Sequence, residues 1–111
     1  MKKIEAIVRL SKFDDIKDAL AEIGVLFFTL SEVKGFGLQK EKRVYRGSAY
    51  DPDYIARLQI DILTTDDKVD EIVLTIKSSG NTGKVGDGKI IVFDVGNVYR
   101  IRNNDEGANA I

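Results

Sequence analysis

Twice along the chain a two-residue apolar period gives way to a helical period and then to extended character again. This doubled β-α-β pattern limits the fold more than any other feature. Ile4, Ala6, Val8 and Leu10 are apolar at alternate positions with Lys3, Glu5 and Arg9 among them, as a half-buried strand requires. Phe13, Ile16, Ala19, Leu20 and Ile23 then follow helix spacing; Ser11 stands at an N-cap position with Asp14 three residues on, and Gly24 follows as a stop. Residues 25–33, rich in β-branched and aromatic types, predict a second strand. The second half repeats the pattern. Arg57, Gln59 and Asp61 alternate with Leu58, Ile60 and Ile62, and Val69, Ile72, Val73 and Ile76 then share one helical face. Thr65 is placed to cap that helix and Gly80 to end it. Residues 90–95 form a nearly continuous apolar strand, Val98, Tyr99 and Ile101 suggest a short extended piece, and residues 103–111 read as a polar tail.

Two such halves in 111 residues predict a single α+β domain of ferredoxin-like βαββαβ type. Four antiparallel strands carry two helices on one face, and the bare face invites a second copy of the chain. Between the halves, residues 35–54 hold three glycines, the only proline and four aromatic rings without a regular period. A connection of about 20 residues is too long to be a mere link, so it is functional or disordered. Lys40, Lys42, Arg43 and Arg46 interleave with Tyr45 and Tyr50 there, but Asp51 and Asp53 follow. A protein-docking loop fits this better than a nucleic-acid site.

Composition removes several classes of function. With neither cysteine nor histidine there is no disulfide, thiolate, imidazole shuttle or zinc site of the usual kinds. Seventeen basic against eighteen acidic residues leave a net charge of −1, which draws the chain toward neither nucleic acid nor anionic membrane. The opening Met-Lys-Lys-Ile lacks the apolar core of a signal peptide, and no apolar run approaches the ~18 residues of a membrane span. A small cytoplasmic domain is the expectation, without membrane insertion or nucleic-acid binding.

The densest chemistry lies in Asn81-Thr82-Gly83-Lys84-Val85-Gly86-Asp87-Gly88-Lys89-Ile90. The spacing from Gly83 to Gly88-Lys89 nearly matches a P-loop, but Ile90 replaces the magnesium-holding hydroxyl and a strand follows instead of a helix. What remains is a three-glycine loop whose N–H groups can wrap an anion beside the charge of Lys89, or else a simple turn. Arg100 and Arg102, two apart on an extended segment, face one way and suit phosphate oxygens, unless they answer Asp105 and Glu106.

These strings, with Lys34-Gly35-Phe36-Gly37, Gln39-Lys40, Tyr45-Arg46-Gly47-Ser48-Ala49-Tyr50 and Arg100-Ile101-Arg102, resemble the PII nitrogen-regulatory signal-transduction proteins over essentially the whole chain. The resemblance implies a non-enzymatic regulator: a homotrimer with sheets facing inward, binding ATP or ADP between subunits, and 2-oxoglutarate together with Mg2+ and ATP. It implies a T-loop at about 36–54, a B-loop at about 81–89 and a C-terminal loop at about 100–111. Gly37, Thr29, Thr82, Gly86, Asp87, Gly88 and Lys89 match nucleotide-binding positions, and Arg100 and Arg102 should reach the nucleotide of the neighbouring subunit. Gln39 matches the magnesium ligand beside 2-oxoglutarate, and Arg57 stands where the family has a lysine for the effector's distal carboxylate. Tyr50 and Ser48 match positions modified in some members. The implied partner of the T-loop is an ammonium transporter or a nitrogen-metabolism enzyme.

The chain departs from the family at Leu38, Glu41 and Ala49, and after Arg102. These differences bear on 2-oxoglutarate more than on nucleotide. The alternatives are an adenine-nucleotide switch with another effector or none, slow ATP hydrolysis, and a module that only binds protein.

Overall fold

A computed structural model describes residues 1–36 and 55–111, and the backbone alone at 43–45 and 48–50. The elements run β1 (Lys2–Val8), α1 (Phe13–Glu22), β2 (Thr29–Gly35), β3 (Arg43–Tyr45), β4 (Ser48–Tyr50), β5 (Ile55–Thr64), α2 (Val69–Gly80) and β6 (Gly88–Asp94). The main sheet has the order β2-β5-β1-β6, every pair antiparallel. This is the ferredoxin-like arrangement that the doubled pattern predicts.

Alternation along β1 and β5 sends Ile4, Ala6, Val8, Leu58, Ile60 and Ile62 to one face, where they are buried. The two helices cover that face with Ile16, Leu20, Ile72 and Ile76. Phe13 meets Phe28 edge to face at 6.1 Å, closing the core where α1 turns toward β2. Register pairs Ile4 with Ile62 and Val92, and Ala6 with Ile60 and Ile90, so one face collects the apolar residues of neighbouring strands.

The opposite face is polar and ordered. Gln59 donates to Glu5 at 3.0 Å and to Asp61 at 3.2 Å, Lys3 lies 3.8 Å from Asp61, and the same ammonium sits 5.7 Å from the centre of the Phe93 ring. Neither helix covers it.

Several local expectations are corrected. A 3-10 turn, Leu10–Lys12, precedes α1, so Ser11 lies inside that turn and Lys12 takes the cap position without a side-chain bond. Asp66–Lys68 plays the same part before α2, moving Thr65 off the cap of the α-helix. The second strand starts only at Thr29: Leu26 and Phe27 are exposed connectors, apolar without being strand. Residues 43–45 and 48–50 pair as a short antiparallel ribbon inside the long connection, where no period was visible.

The expected tail folds back. Tyr99 bridges Glu106, Arg100 N–H donates to Asp105 C=O and Gly107 N–H to Val98 C=O, while the Asn97 side chain accepts from both Val98 and Gly107. Gly80, expected as a stop, is the buried last residue of α2. A Cβ there would lie 3.0 Å from Ile16 Cδ1, so the glycine lets the two helices approach. Gly80→Ala gains helix propensity but crowds Ile16, and is expected to cost about 1 kcal/mol net in a denaturant titration.

Candidate functional site

The segment between α2 and β6 is shaped by one carboxylate. Asp87 Oδ2 accepts from the Thr82 amide at 2.9 Å and the Gly83 amide at 3.0 Å, while Oδ1 accepts from the Thr82 hydroxyl and from Arg9 Nε at 2.9 Å. The Thr82 hydroxyl above all, then the Arg9 guanidinium and the two amides, hold the Asp87 carboxyl far below the usual carboxylate range. A depressed carboxylate stabilises the fold above its unfolded pKa of about 3.9, and that contribution fades as pH falls below it. The loop is therefore fully clasped at neutral pH.

Arg9 reaches this loop from just beyond the end of β1, and its Nη2 also donates to the Val85 carbonyl at 2.9 Å. Gly86 and Gly88 have φ of 101° and 99°, the left-handed region where a side chain is strained. At Gly86 an added Cβ would come within 3.0 Å of Arg57 Nη2 and 3.1 Å of Arg9 Nη2, so two guanidinium groups flank that backbone. At Gly88 it would come within 1.8 Å of the Ile7 carbonyl oxygen, so the loop rests directly on β1.

Beside the loop opens a cavity of about 450 Å³, lined by Ile7, Val73, Ile76 and Ile90 with Lys77, Asp87, Gly88 and Lys89. That size and mixed lining suit a small-molecule site. Chemically, the arrangement offers glycine backbone, fixed positive charge and an apolar wall, which together receive a phosphate or carboxylate carried on a larger molecule.

The structure brings together Thr82, Gly86, Asp87, Gly88 and Arg57 around one loop, with Lys89 at the start of β6. It turns Thr82 and Asp87 toward each other. Thr29 is elsewhere: it pairs with Asp61, four residues along β5 from Arg57. Arg100 and Arg102 belong to the segment leaving the far end of β6, a strand of seven residues or about 20 Å. They do not lie on the regular extended segment that would point them together, because residues 101–104 bend; Arg100 lies 3.6 Å from Asp105 and donates to the Asn109 carbonyl. None of Thr29, Arg100 and Arg102 lines the cavity. Gly37 and Gln39 lie outside the described residues, as do the side chains of Ser48 and Tyr50.

Arg9 reads in the sequence as a solvated strand residue, not as a part of this loop. Its one signal there is a charge at the end of an alternating strand, which every solvated strand end shares.

The family model for "Nitrogen regulatory protein P-II" matches residues 1–105. The chain belongs to the P-II family. A P-II protein of Klebsiella oxytoca is 51% identical and P-II 1 of Escherichia coli strain K12 is 50% identical, each match covering 100% of both chains. Among solved structures, Arabidopsis thaliana PII bound to citrate aligns with a TM-score of 0.81 at 33% identity, covering 99% of this chain and 91% of that one. The chain is accordingly a nitrogen-regulatory signal-transduction protein, not an enzyme. P-II proteins regulate partners in nitrogen metabolism. Among the described residues no helix is long and apolar enough to cross a membrane, and no three acidic, cysteine or histidine side chains are grouped to hold a metal.

Proposed function

We propose that this P-II protein is a cytoplasmic homotrimer that binds ATP or ADP on its glycine loop, binds 2-oxoglutarate when Mg-ATP is present, and passes the result to a partner through the loop at about 36–54. The observation that carries the reading is the clasped glycine loop beside two guanidinium groups and a cavity. Its amides at Thr82 and Gly83 already serve Asp87, which leaves the Gly86–Lys89 half to receive phosphate.

The trimer is supported by the uncovered polar face, whose half-exposed Leu63 and Phe93 lie among the Lys3, Glu5, Gln59 and Asp61 network. It is also supported by topology, since Arg100 and Arg102 leave the sheet from the end opposite the loop. In a closed ring the arginines of one copy can serve the loop of the next. Thr29 would enter from the neighbour in the same way.

Arg57, whose guanidinium flanks Gly86, would pair with the carboxylate of the effector. Magnesium would be held by Gln39 and the nucleotide's own phosphates, in keeping with the habit of Mg2+ of taking few protein ligands. The metal would neutralise phosphate charge where an acidic effector approaches. Tyr50 or Ser48 would be the site of covalent modification, and an ammonium transporter or nitrogen-assimilation enzyme the partner.

Titration calorimetry tests this. ATP should bind the wild-type protein, and 2-oxoglutarate should bind only with ATP and magnesium both present. Arg57→Ala should weaken 2-oxoglutarate at least tenfold, the loss of about one charge-assisted hydrogen bond, while ATP changes less than threefold. Absence of 2-oxoglutarate heat at saturating Mg-ATP contradicts the sensing half and leaves the adenine-nucleotide switch, the reading in which another anion or none is the effector.

A further inference from the structure

The glycine loop does not hold its own shape. Asp87 accepts four donors, from the Thr82 amide, the Thr82 hydroxyl, the Gly83 amide and Arg9 Nε. A carboxylate has about four acceptor sites, so this one is filled from within the protein. Three of the donors are local to the loop. The fourth is 78 residues away in sequence, and it ties the loop's internal knot to the end of β1 by a side chain. The same guanidinium holds the Val85 carbonyl, so it grips the loop at two points separated by Gly86. Both partners are part-buried, with side-chain exposures of 21% for Arg9 and 23% for Asp87, so solvent screening of the pair is reduced.

Charge matters as much as shape here. An uncompensated carboxylate at Asp87 would repel any phosphate or carboxylate approaching Gly86–Lys89. Arg9 cancels that charge. Its planar fork also sets the distance between Asp87 and the Val85 carbonyl, which a lysine, as a point charge, cannot do.

We propose that Arg9 is a positioning residue of the ligand site: through Asp87 it fixes the Thr82–Gly88 backbone and neutralises a carboxylate that would oppose an anion there. The purpose assigned to this clasp rests on the nucleotide reading above. The clasp itself does not, and the two are separated by separate measurements.

The first measurement is amide hydrogen exchange by NMR in ligand-free protein. Arg9→Leu should speed exchange at Thr82 and Gly83 by tenfold or more while the amides of β1 and β5 keep theirs, and Arg9→Lys should fall between the two. The second is ATP titration through the cycle of Arg9→Leu, Asp87→Asn and the double variant. Each single variant should weaken ATP about tenfold to a hundredfold, and the double variant should be no weaker than the poorer single, because both remove one interaction.

If the wild type binds no ATP while Thr82 and Gly83 respond to Arg9→Leu, the clasp stands and the nucleotide reading falls. If ATP binds and Arg9→Leu alters neither exchange nor affinity, the clasp is overturned. Fully additive losses in the cycle also overturn it, since Arg9 would then act by direct contact with the ligand.

Discussion

Gly88→Ala should lower the melting temperature by about 10–20 °C and abolish nucleotide binding. The new Cβ would sit 1.8 Å from the Ile7 carbonyl oxygen and 2.8 Å from its carbon, at a residue whose φ is +99°. Both obstacles are backbone. Ile7 cannot turn away, because it lies within β1 between β5 and β6, paired with Gln59 and Lys89. The left-handed conformation alone costs an alanine about 1–2 kcal/mol, and relieving the overlap by opening the β1–β6 edge adds about 1–3 kcal/mol. A domain of this size has a total stability of about 5–15 kcal/mol, so the loss is a large share of it. The corresponding shift is about 4–8 °C per kcal/mol in a thermal melt. Gly86→Ala makes the instructive comparison: its Cβ would meet the tips of Arg57 and Arg9, which can move, so its stability should fall less while ligand binding still suffers. A Gly88→Ala protein melting within 2 °C of wild type would contradict the packing of this loop on β1.

The second large effect belongs to Lys89. Its backbone pairs with Ile7 in the sheet, and its side chain is exposed at the rim of the cavity. Removing that side chain takes away no buried contact, so Lys89→Ala should leave the melting temperature within about 2 °C of wild type. Nucleotide affinity should fall about tenfold to a hundredfold, as loss of a charge-assisted bond to phosphate requires. Calorimetry and melting on one preparation separate the two quantities. Equal ATP affinity in Lys89→Ala and wild type would remove the phosphate from this end of the loop.

Much of the fold was legible because the two central strands, β1 and β5, are half-buried, with one face against helices. The alternation at Ile4, Ala6 and Val8, and at Leu58, Ile60 and Ile62, is the direct imprint of that burial. Legibility failed where burial and apolar character part company. Leu26 and Phe27 are apolar yet exposed, so they extended the second strand on paper but not in space. Residues 103–111 erred the other way: read as a polar tail, they are folded back by bonds from Asn97 to Gly107 and a bridge between Tyr99 and Glu106, which no hydrophobic period announces. Ser11 and Thr65 are good capping types, but an intervening 3-10 turn moved each helix start past them.

The glycine loop shows the same division. Its glycines and Lys89 could be read directly, because glycine clusters mark unusual backbone wherever they occur. What holds them could not. Arg9 meets Asp87 only because β1 and β6 are neighbours in register, and a pairing across the sheet leaves no trace in local sequence. The separation of Arg100 and Arg102 from the loop was likewise invisible until β6 was seen to run away from it.

That separation leads to the most direct test of a phosphate site shared between copies. Lys89→Ala chains and Arg100→Ala/Arg102→Ala chains, each prepared alone, should bind ATP at least tenfold more weakly than the wild type, leaving no sites of wild-type affinity. Unfolded together in equal amounts and refolded, they should recover about a quarter of the wild-type ATP-binding capacity, since random assortment pairs an intact loop with intact arginines at about one interface in four. A mixture with no more sites of wild-type affinity than its two parents would place loop and arginines in the same chain and contradict the shared site.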